Sequence, residues 1–172
     1  MNVALLSLGS NIDAARNLVA AVRLLREAGR VVAVSCVYET PAVGAPGQPP
    51  FLNAAVQLET PLGPGAFKDG VIGRIERALG RTRDPRNRAA PRTIDIDIAL
   101  WTSGDAGVET PPPHPDVVRR AHVAVPLADI APARVLPGDG RPLAAVAGGL
   151  RARDAALRPR PDVDLRAAAY GK

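Results

Sequence analysis

Polar and hydrophobic positions alternate most regularly in residues 93–98, next to a basic segment. The polar positions are Thr93, Asp95 and Asp97, and the apolar ones are Ile94, Ile96 and Ile98. A period of two predicts a β-strand with the isoleucines on one face and both aspartates on the other. The i, i+2 spacing puts the two carboxylates roughly 7 Å apart, and they repel each other unless a cation or a proton lies between them. The strand therefore carries a candidate cation site, although an ordinary solvated strand face would show the same spacing.

The basic segment lies immediately before this strand. Within residues 81–92 there are five arginines and one acid, Asp84: Arg81, Arg83, Arg86, Arg88 and Arg92. One guanidinium group can donate two parallel hydrogen bonds to phosphate oxygens, so the segment is suited to an anionic ligand. Carboxylates that need a cation, beside arginines that need an anion, indicate a metal–polyphosphate site.

The remaining periodicity predicts three more strands and two long helices before residue 102. The predicted strands cover residues 2–8, 30–38, 51–60 and 92–101, and the helices follow the first strand and the third. The order β-α-β-β-α-β predicts an α+β, ferredoxin-like fold, an antiparallel sheet with helices on one face. The isoleucines should pack on those helices, and Phe51, Asn53 and the two aspartates should lie on the free face.

The pattern weakens after residue 101. Short helices are predicted near residues 114–121, 123–130 and 142–150, and residues 151–172 lack a period and are expected to form a loosely ordered tail. A chain of 172 residues without an internal repeat or linker predicts one domain, with its body in residues 1–150.

Composition and charge narrow the possible functions. The net charge is +5, and residues 81–92 alone carry +4 (five arginines minus one aspartate), which favours a specific anionic ligand over a general nucleic-acid surface. No Gly-x-x-x-x-Gly-Lys-[Ser/Thr] motif occurs, which excludes a P-loop kinase at the motif level. The single cysteine, Cys36, allows no intramolecular disulfide and is expected to be buried. No signal peptide or membrane span is recognisable, so a cytoplasmic location without membrane association is expected.

Several isolated side chains have both a functional and a structural interpretation. His114, followed by Arg119 and Arg120, could bind a phosphate or carry a proton, or could be structural. Phe51 and Asn53 could offer an apolar plate and an amide to a flat heterocycle, or could simply pack and bond within the sheet. Glu76 lies on the second predicted helix, and its side chain is expected to lie on the solvated face of that helix. A ferredoxin-like RNA-binding module remains an alternative to an enzyme.

Six sequence motifs occur in the order typical of one known family. They are Leu-Gly-Ser-Asn at 8–11, Tyr-Glu-Thr-Pro at 38–41, Phe-Leu-Asn-Ala at 51–54, Ile-Glu at 75–76 with Gly-Arg at 80–81, Pro-Arg-Thr-Ile-Asp-Ile-Asp at 91–97, and Pro-His-Pro at 113–115 leading through Arg120 to Pro-Leu at 126–127. Together they resemble 6-hydroxymethyl-7,8-dihydropterin pyrophosphokinase of folate biosynthesis, over residues 3–132. The resemblance implies a cytosolic enzyme that moves the pyrophosphoryl group of ATP to the pterin and releases AMP.

The resemblance also implies roles for individual residues. Asp95 and Asp97 would bind two Mg²⁺ ions and, with Arg81 and Arg92, would form the catalytic set. The residues implied for ATP are Glu76, Arg81, Arg83, Arg88, Arg92, Ile98, His114 and Arg120. The residues implied for the pterin are Thr40, Pro41, Val43, Phe51, Asn53, Asp95 and His122. The implied partners are these two small molecules, without nucleic acid, in a monomer or weak homodimer. A relative of the family with an altered acceptor is a further alternative, beside the RNA-binding module.

Three positions depart from the family pattern. Ala89 and Ala90 replace the usual Trp-Gly before the Pro-Arg pair, which removes an aromatic ring that helps to close the basic loop. The basic loop is also slightly longer, at residues 84–87. His122 replaces the phenylalanine that normally forms the second plate against the pterin, and imidazole is smaller and titratable.

The His122 substitution predicts weaker pterin binding than phenylalanine would give, and still weaker binding once the imidazole is protonated. A His122→Phe variant should therefore have a lower KM for the pterin in a steady-state assay. An unchanged or higher KM in that variant would contradict the prediction.

Overall fold

The computed structural model describes residues 1–42, 47–82, 87, 90–104 and 111–171. Its strands are β1 Asn2–Ser10, β2 Arg30–Val34, β3 Tyr38–Thr40, β4 Phe51–Thr60, β5 Asp95–Thr102 and β6 Arg158–Pro159. Its helices are α1 Ala14–Leu25, α2 Pro64–Ala66, α3 Gly73–Ala78, α4 Ala121–Ile130, α5 Leu143–Arg151 and α6 Arg166–Tyr170. A π-helical segment, Phe67–Ile72, joins α2 to α3, and Pro115–Val118 form a 3-10 turn.

The strands form one antiparallel sheet in the order β5-β1-β4-β3-β6, with β2 also pairing with β4. Alternate apolar residues of β1, β4 and β5 face α1, the π-helical segment and α3 and form the first hydrophobic core. Ile94 and Ile96 lie in this core, and Ile98 packs against it, as the alternation predicts. The α+β fold class expected from the sequence is confirmed.

The second face of the sheet is covered along part of its length by α4 and α5. Leu5, Ala55 and Leu100 on the sheet pack with Leu127 of α4 and Leu143 of α5 in a second core. The expectation of a wholly free face is therefore wrong, because the short apolar helices after residue 120 also need a surface on which to bury their side chains. In the described part of the chain, the end of the sheet that carries Gly9, Asn53 and Asp95 lines a cavity instead.

An irregularity in β5 explains why the alternation does not run through the whole strand. The pairing of β1 with β5 shifts between Leu5 and Leu6, so Ala99 is an extra residue in β5. Because a bulge reverses the faces beyond it, Trp101 lies in the first core with the isoleucines. The bulge follows Asp97, so it does not disturb the orientation of the two aspartates.

The predicted strand over residues 30–38 is two strands separated by a break. Ser35 occupies the break, where its hydroxyl accepts a hydrogen bond from the Ala55 backbone N–H at 2.8 Å. Cys36 follows and is exposed, so the expectation of a buried thiol is wrong. The apolar run around it does not alternate through the break, which turns this side chain outward.

Residues 151–171 contain a strand and a helix, contrary to the loosely ordered tail expected from the composition. β6 pairs with β3, and α6 packs beneath α1 through Leu165, Ala168 and Ala169, all within the first core. Small alanine side chains let this five-residue helix approach the core closely, although they give little periodic signal in the sequence. Among the described residues, no helix combines the length and the apolar character needed to cross a bilayer.

Leu165→Ala tests this placement of the tail. Leu165 is 1% exposed, so the truncation should lower the free energy of unfolding by about 2–5 kcal/mol. The matched control is the exposed neighbour Arg166→Ala, which should change it by less than about 0.5 kcal/mol. Denaturant unfolding measures both. Equal, negligible effects would show that the tail does not pack as described.

Candidate active site

A row of residues across three strands forms the floor of the open end of the sheet. Gly9 on β1 lies opposite Asp95 of β5 on one side and Asn53 of β4 on the other. Directly opposed residues in a sheet share a face, so all three positions look into the same cavity. A side chain at Gly9 would stand 3.5 Å from Asn53 Oδ1, so the glycine leaves the space between the carboxylate and the amide open. The next row pairs Ser7 with Asp97.

Asp95 is held between two arginines. Its Oδ1 accepts a hydrogen bond from Arg81 Nη2 at 3.3 Å, and its Oδ2 pairs with Arg92 Nη1. The side chain of Arg81 is only 10% exposed, so its ion pair is shielded from solvent. The predicted juxtaposition of carboxylates and arginines is therefore present, with Asp97 exposed beside it on the same face.

Glu76 fixes the segment that carries Arg81. It is 5% exposed, and its carboxylate accepts a hydrogen bond from the Ile96 backbone N–H at 3.3 Å. Its own carbonyl accepts from the Arg81 N–H at 2.8 Å, just after Gly80 takes a φ of 73° that a side chain would disfavour. The expectation of a solvated face for Glu76 is wrong, because the end of α3 packs directly on β5.

Asn11 supports the site from outside the cavity lining, and the sequence interpretation gave it no role in the site. It is 2% exposed, and its Oδ1 accepts from the Arg92 N–H at 2.7 Å. Its Nδ2 donates to Gln48 Oε1 at 3.1 Å and to the Pro49 carbonyl at 3.3 Å. One buried amide thus joins the segment before β4 to the segment before β5. Its place in the Leu-Gly-Ser-Asn motif was the available signal.

The opposite end of the floor has a different chemistry. Asn53 Nδ2 donates to Thr40 Oγ1 at 3.0 Å and to the Tyr38 carbonyl at 3.4 Å, which turns Oδ1 towards Gly9. Phe51 is half-buried at the start of β4, and the Arg92 guanidinium lies 5.7 Å from its ring centroid. Thr40, Pro41, Phe51 and Asn53 therefore form an apolar and amide-lined end of the same cavity.

The facing wall comes from the second half of the chain. The His114 N–H donates to the Ala99 carbonyl at 2.9 Å, and its Nδ1 accepts from the Asp116 N–H at 3.3 Å, which fixes the wall against β5. His122 at the start of α4 is half-buried, and burial together with the nearby Arg120 lowers its pKa from the ordinary value. The wall includes Arg119, which the sequence places beside His114 and Arg120. It also includes residues that sequence reasoning did not select: Leu150, Arg153, Asp154 and Ala156.

The cavity of about 1510 Å³ brings most of the predicted site residues together. Ile98 does not line it, since its side chain packs against the first core, and Glu76 lies buried behind the floor. The described lining residues from the predicted set are Thr40, Pro41, Phe51, Asn53, Arg81, Arg92, Asp95, Asp97, His114, Arg120 and His122. Val43, Arg83, Arg88, Ala89 and residues 84–86 lie outside the described part of the chain.

Residues 5–132 match the sequence model of the family described as 7,8-dihydro-6-hydroxymethylpterin-pyrophosphokinase, which is more than half of the 172 residues. The chain belongs to this family of enzymes. It is 44% identical over 143 residues to the 2-amino-4-hydroxy-6-hydroxymethyldihydropteridine pyrophosphokinase of Methylorubrum extorquens, covering 81% of this chain and 89% of the relative. The protein of the same name from Bacillus subtilis is 42% identical over 135 residues, covering 75% and 78%.

Solved structures show the same fold. Wild-type HPPK-DHPS of Plasmodium falciparum with pterin and p-hydroxybenzoate superposes with a TM-score of 0.67 at 15% identity, over 88% of this chain and 42% of that one. The same protein with SDX-DHP gives a TM-score of 0.63 at 14% identity, over 88% and 45%. This chain therefore spans less than half the length of those structures, and at this identity the likeness concerns the fold alone.

The donor set of the floor fits a hard divalent cation. Asp95 and Asp97 present carboxylate oxygens from successive positions on one face of β5, and such oxygens are the ligands that Mg²⁺ prefers. Among the described residues, no group of three or more His, Cys, Asp or Glu side chains could hold a metal ion. One or two carboxylates are enough for Mg²⁺ when phosphate oxygens and water complete its shell.

The lowered pKa of His122 can be measured directly. Because burial and the nearby Arg120 both favour the neutral form, the pKa of His122 should lie below its ordinary value. Arg120→Met removes the neighbouring cation and should raise this pKa, as followed by NMR titration of the ring protons. Arg141→Met, in an exposed turn outside the cavity lining, is the matched control and should leave it unchanged. If the pKa of His122 is the same in Arg120→Met as in the wild type, the described position of Arg120 beside His122 is contradicted.

Proposed function

We propose that this chain transfers the pyrophosphoryl group of ATP to the hydroxymethyl oxygen of 6-hydroxymethyl-7,8-dihydropterin and releases AMP, in folate biosynthesis. One observation carries the proposal: a single cavity holds the Asp95–Asp97 pair with its arginines at one end and the Asn53–Phe51 surface at the other. The first end suits a metal-bound polyphosphate and the second suits a flat heterocycle.

The nucleotide end contains more cationic groups than Asp95 alone can balance. Arg81 and Arg92 reach Asp95 from the floor, while Arg119 and Arg120 line the facing wall. When ATP enters, its phosphate oxygens can take over guanidinium hydrogen bonds now made to Asp95. His114, held in place by its own backbone bond to Ala99, lines the same end. These residues would bind and orient the triphosphate.

The acceptor end offers contacts to both the face and the edge of a pterin. Phe51 provides a ring on which the heterocycle can stack, and His122 on the facing wall would form the second plate. Asn53 is fixed by its bonds to Thr40 and Tyr38, so its amide is already oriented before a ligand arrives. A preorganised amide at the edge selects a heterocycle with complementary donors and acceptors.

Asp95 and Asp97 would hold the two Mg²⁺ ions, which neutralise charge on the phosphate oxygens when bound. The two carboxylates would hold these cations from one face of β5. The chain's own part is to keep these carboxylates on one face, with Gly9 leaving the neighbouring space clear.

In the reaction, the hydroxymethyl oxygen forms a bond to the β-phosphorus, and the bond from that phosphorus to the bridging oxygen of AMP breaks. The hydroxyl proton passes to solvent, and the leaving oxygen takes the new negative charge. No side-chain nucleophile is needed, so the acceleration comes from alignment and from fixed positive charge around the phosphates. Arg81 is well suited to that task, since it is largely shielded from water.

An assay with protein, Mg-ATP and 6-hydroxymethyl-7,8-dihydropterin should yield AMP and the pterin pyrophosphate, measured by chromatography. Asp97→Ala should lower kcat by roughly 100-fold or more, because it removes a ligand of a charge-neutralising cation. Asp69→Ala, an exposed aspartate on the π-helical segment, is the control and should retain full activity.

If well-folded wild-type protein forms no AMP, the proposal is contradicted. The remaining alternatives for the function are then an enzyme with an altered acceptor or an RNA-binding module. AMP formation at full rate by Asp97→Ala would refute the assignment of Asp97 alone.

A further inference from the structure

The chain beyond the family-matched residues 5–132 adds a strand to the sheet at the acceptor end. In β6, Arg158 pairs with Glu39 and Pro159 with Tyr38. The Arg160 backbone N–H extends this pairing by donating to the Val37 carbonyl at 2.8 Å. β3 is thus bordered by β4 on one side and by the C-terminal segment on the other.

Arg160 also fixes β3 through its side chain. Its Nε and Nη2 each donate to one oxygen of Asp162 at 2.8 Å, which locks the guanidinium in one orientation. Its Nη1 then pairs with Oε2 of Glu39. Because two parallel hydrogen bonds to Asp162 hold the guanidinium, its third nitrogen, Nη1, points in a defined direction. The contact with Glu39 is therefore more specific than an ion pair between two mobile side chains.

Glu39 is the middle residue of a three-residue strand, between Tyr38 and Thr40. Successive side chains of a strand point to opposite faces, so Glu39 is directed away from the cavity while Thr40 lines it. Thr40 in turn accepts the hydrogen bond that orients Asn53. So short a strand has few backbone bonds of its own, and its place depends on what holds each edge.

From this geometry we propose that Arg160 is a positioning residue for the acceptor end of the site. It holds β3 through Glu39 and thereby sets Thr40 and the amide of Asn53 in the arrangement that receives the flat heterocycle. The inference rests on the proposed function, because it concerns the pterin end of that site. Arg160 itself does not line the cavity.

The position of β3 in the sheet predicts a selective effect. β5, which carries the carboxylates, is separated from β3 by β1 and β4. Arg81 and Arg92 bond to Glu76, Asn11 and Asp95, and none of these three residues belongs to β3. Loss of the Arg160–Glu39 pair should therefore weaken acceptor binding and leave nucleotide binding intact.

Equilibrium binding of 6-hydroxymethylpterin and of a non-hydrolysable ATP analogue tests this separation in the full-length chain. Arg160→Met should raise the Kd for the pterin by about threefold to tenfold and leave that for the nucleotide within about twofold. Glu39→Gln removes the same ion pair from the other side and should act alike, and the double variant should be no worse than either single one. Arg141→Met, which breaks a comparable Arg–Asp pair in a turn away from β3, is the control.

Wild-type pterin affinity in both single variants would overturn the inference, as would equal weakening of the pterin and the nucleotide. A wild-type chain that binds the nucleotide but no pterin would contradict the proposed function itself and this inference with it. Wild-type pterin binding with unchanged variants would contradict only the role of Arg160.

Discussion

The cross-strand register at the end of β1 is the constraint on which the site depends. Gly9 lies between Asp95 and Asn53, so three strands contribute a carboxylate, an open space and an amide to one continuous floor. A shift of one residue in either pairing would send the functional side chain to the opposite face. The buried apolar positions on the helix side fix that register, so the packing of the first core also sets the geometry of the site.

Charge balance explains how this floor stays folded before any ligand binds. Asp95 would be costly beside Asp97 in a half-buried site, and Arg81 and Arg92 compensate for it. The same arginines are the groups that a triphosphate would attract. Glu76 and Asn11 accept hydrogen bonds from the backbone N–H groups of Arg81 and Arg92. The two guanidinium groups can therefore change partners while the backbone of each arginine stays in place.

The floor could be predicted from the sequence because it depends on local alternation. The period-two pattern oriented Asp95 and Asp97, and the same parity oriented Phe51 and Asn53. The burial of Glu76 and Asn11 could not be predicted in this way, since their partners are 20 and 81 residues away in the chain. α4, α5 and the C-terminal segment gave weak patterns because their helices are short and rich in alanine, yet they cover the second face and brace β3.

Both substrates should occupy this one cavity, and a crystal structure of the chain with a non-hydrolysable ATP analogue, Mg²⁺ and 6-hydroxymethylpterin would show where each lies. The pterin should lie between Phe51 and His122, with its edge on Asn53. The hydroxymethyl oxygen should lie about 3–3.5 Å from the β-phosphorus, in line with the bond to AMP. A pterin bound elsewhere, or phosphates that avoid Arg81 and Arg92, would contradict it.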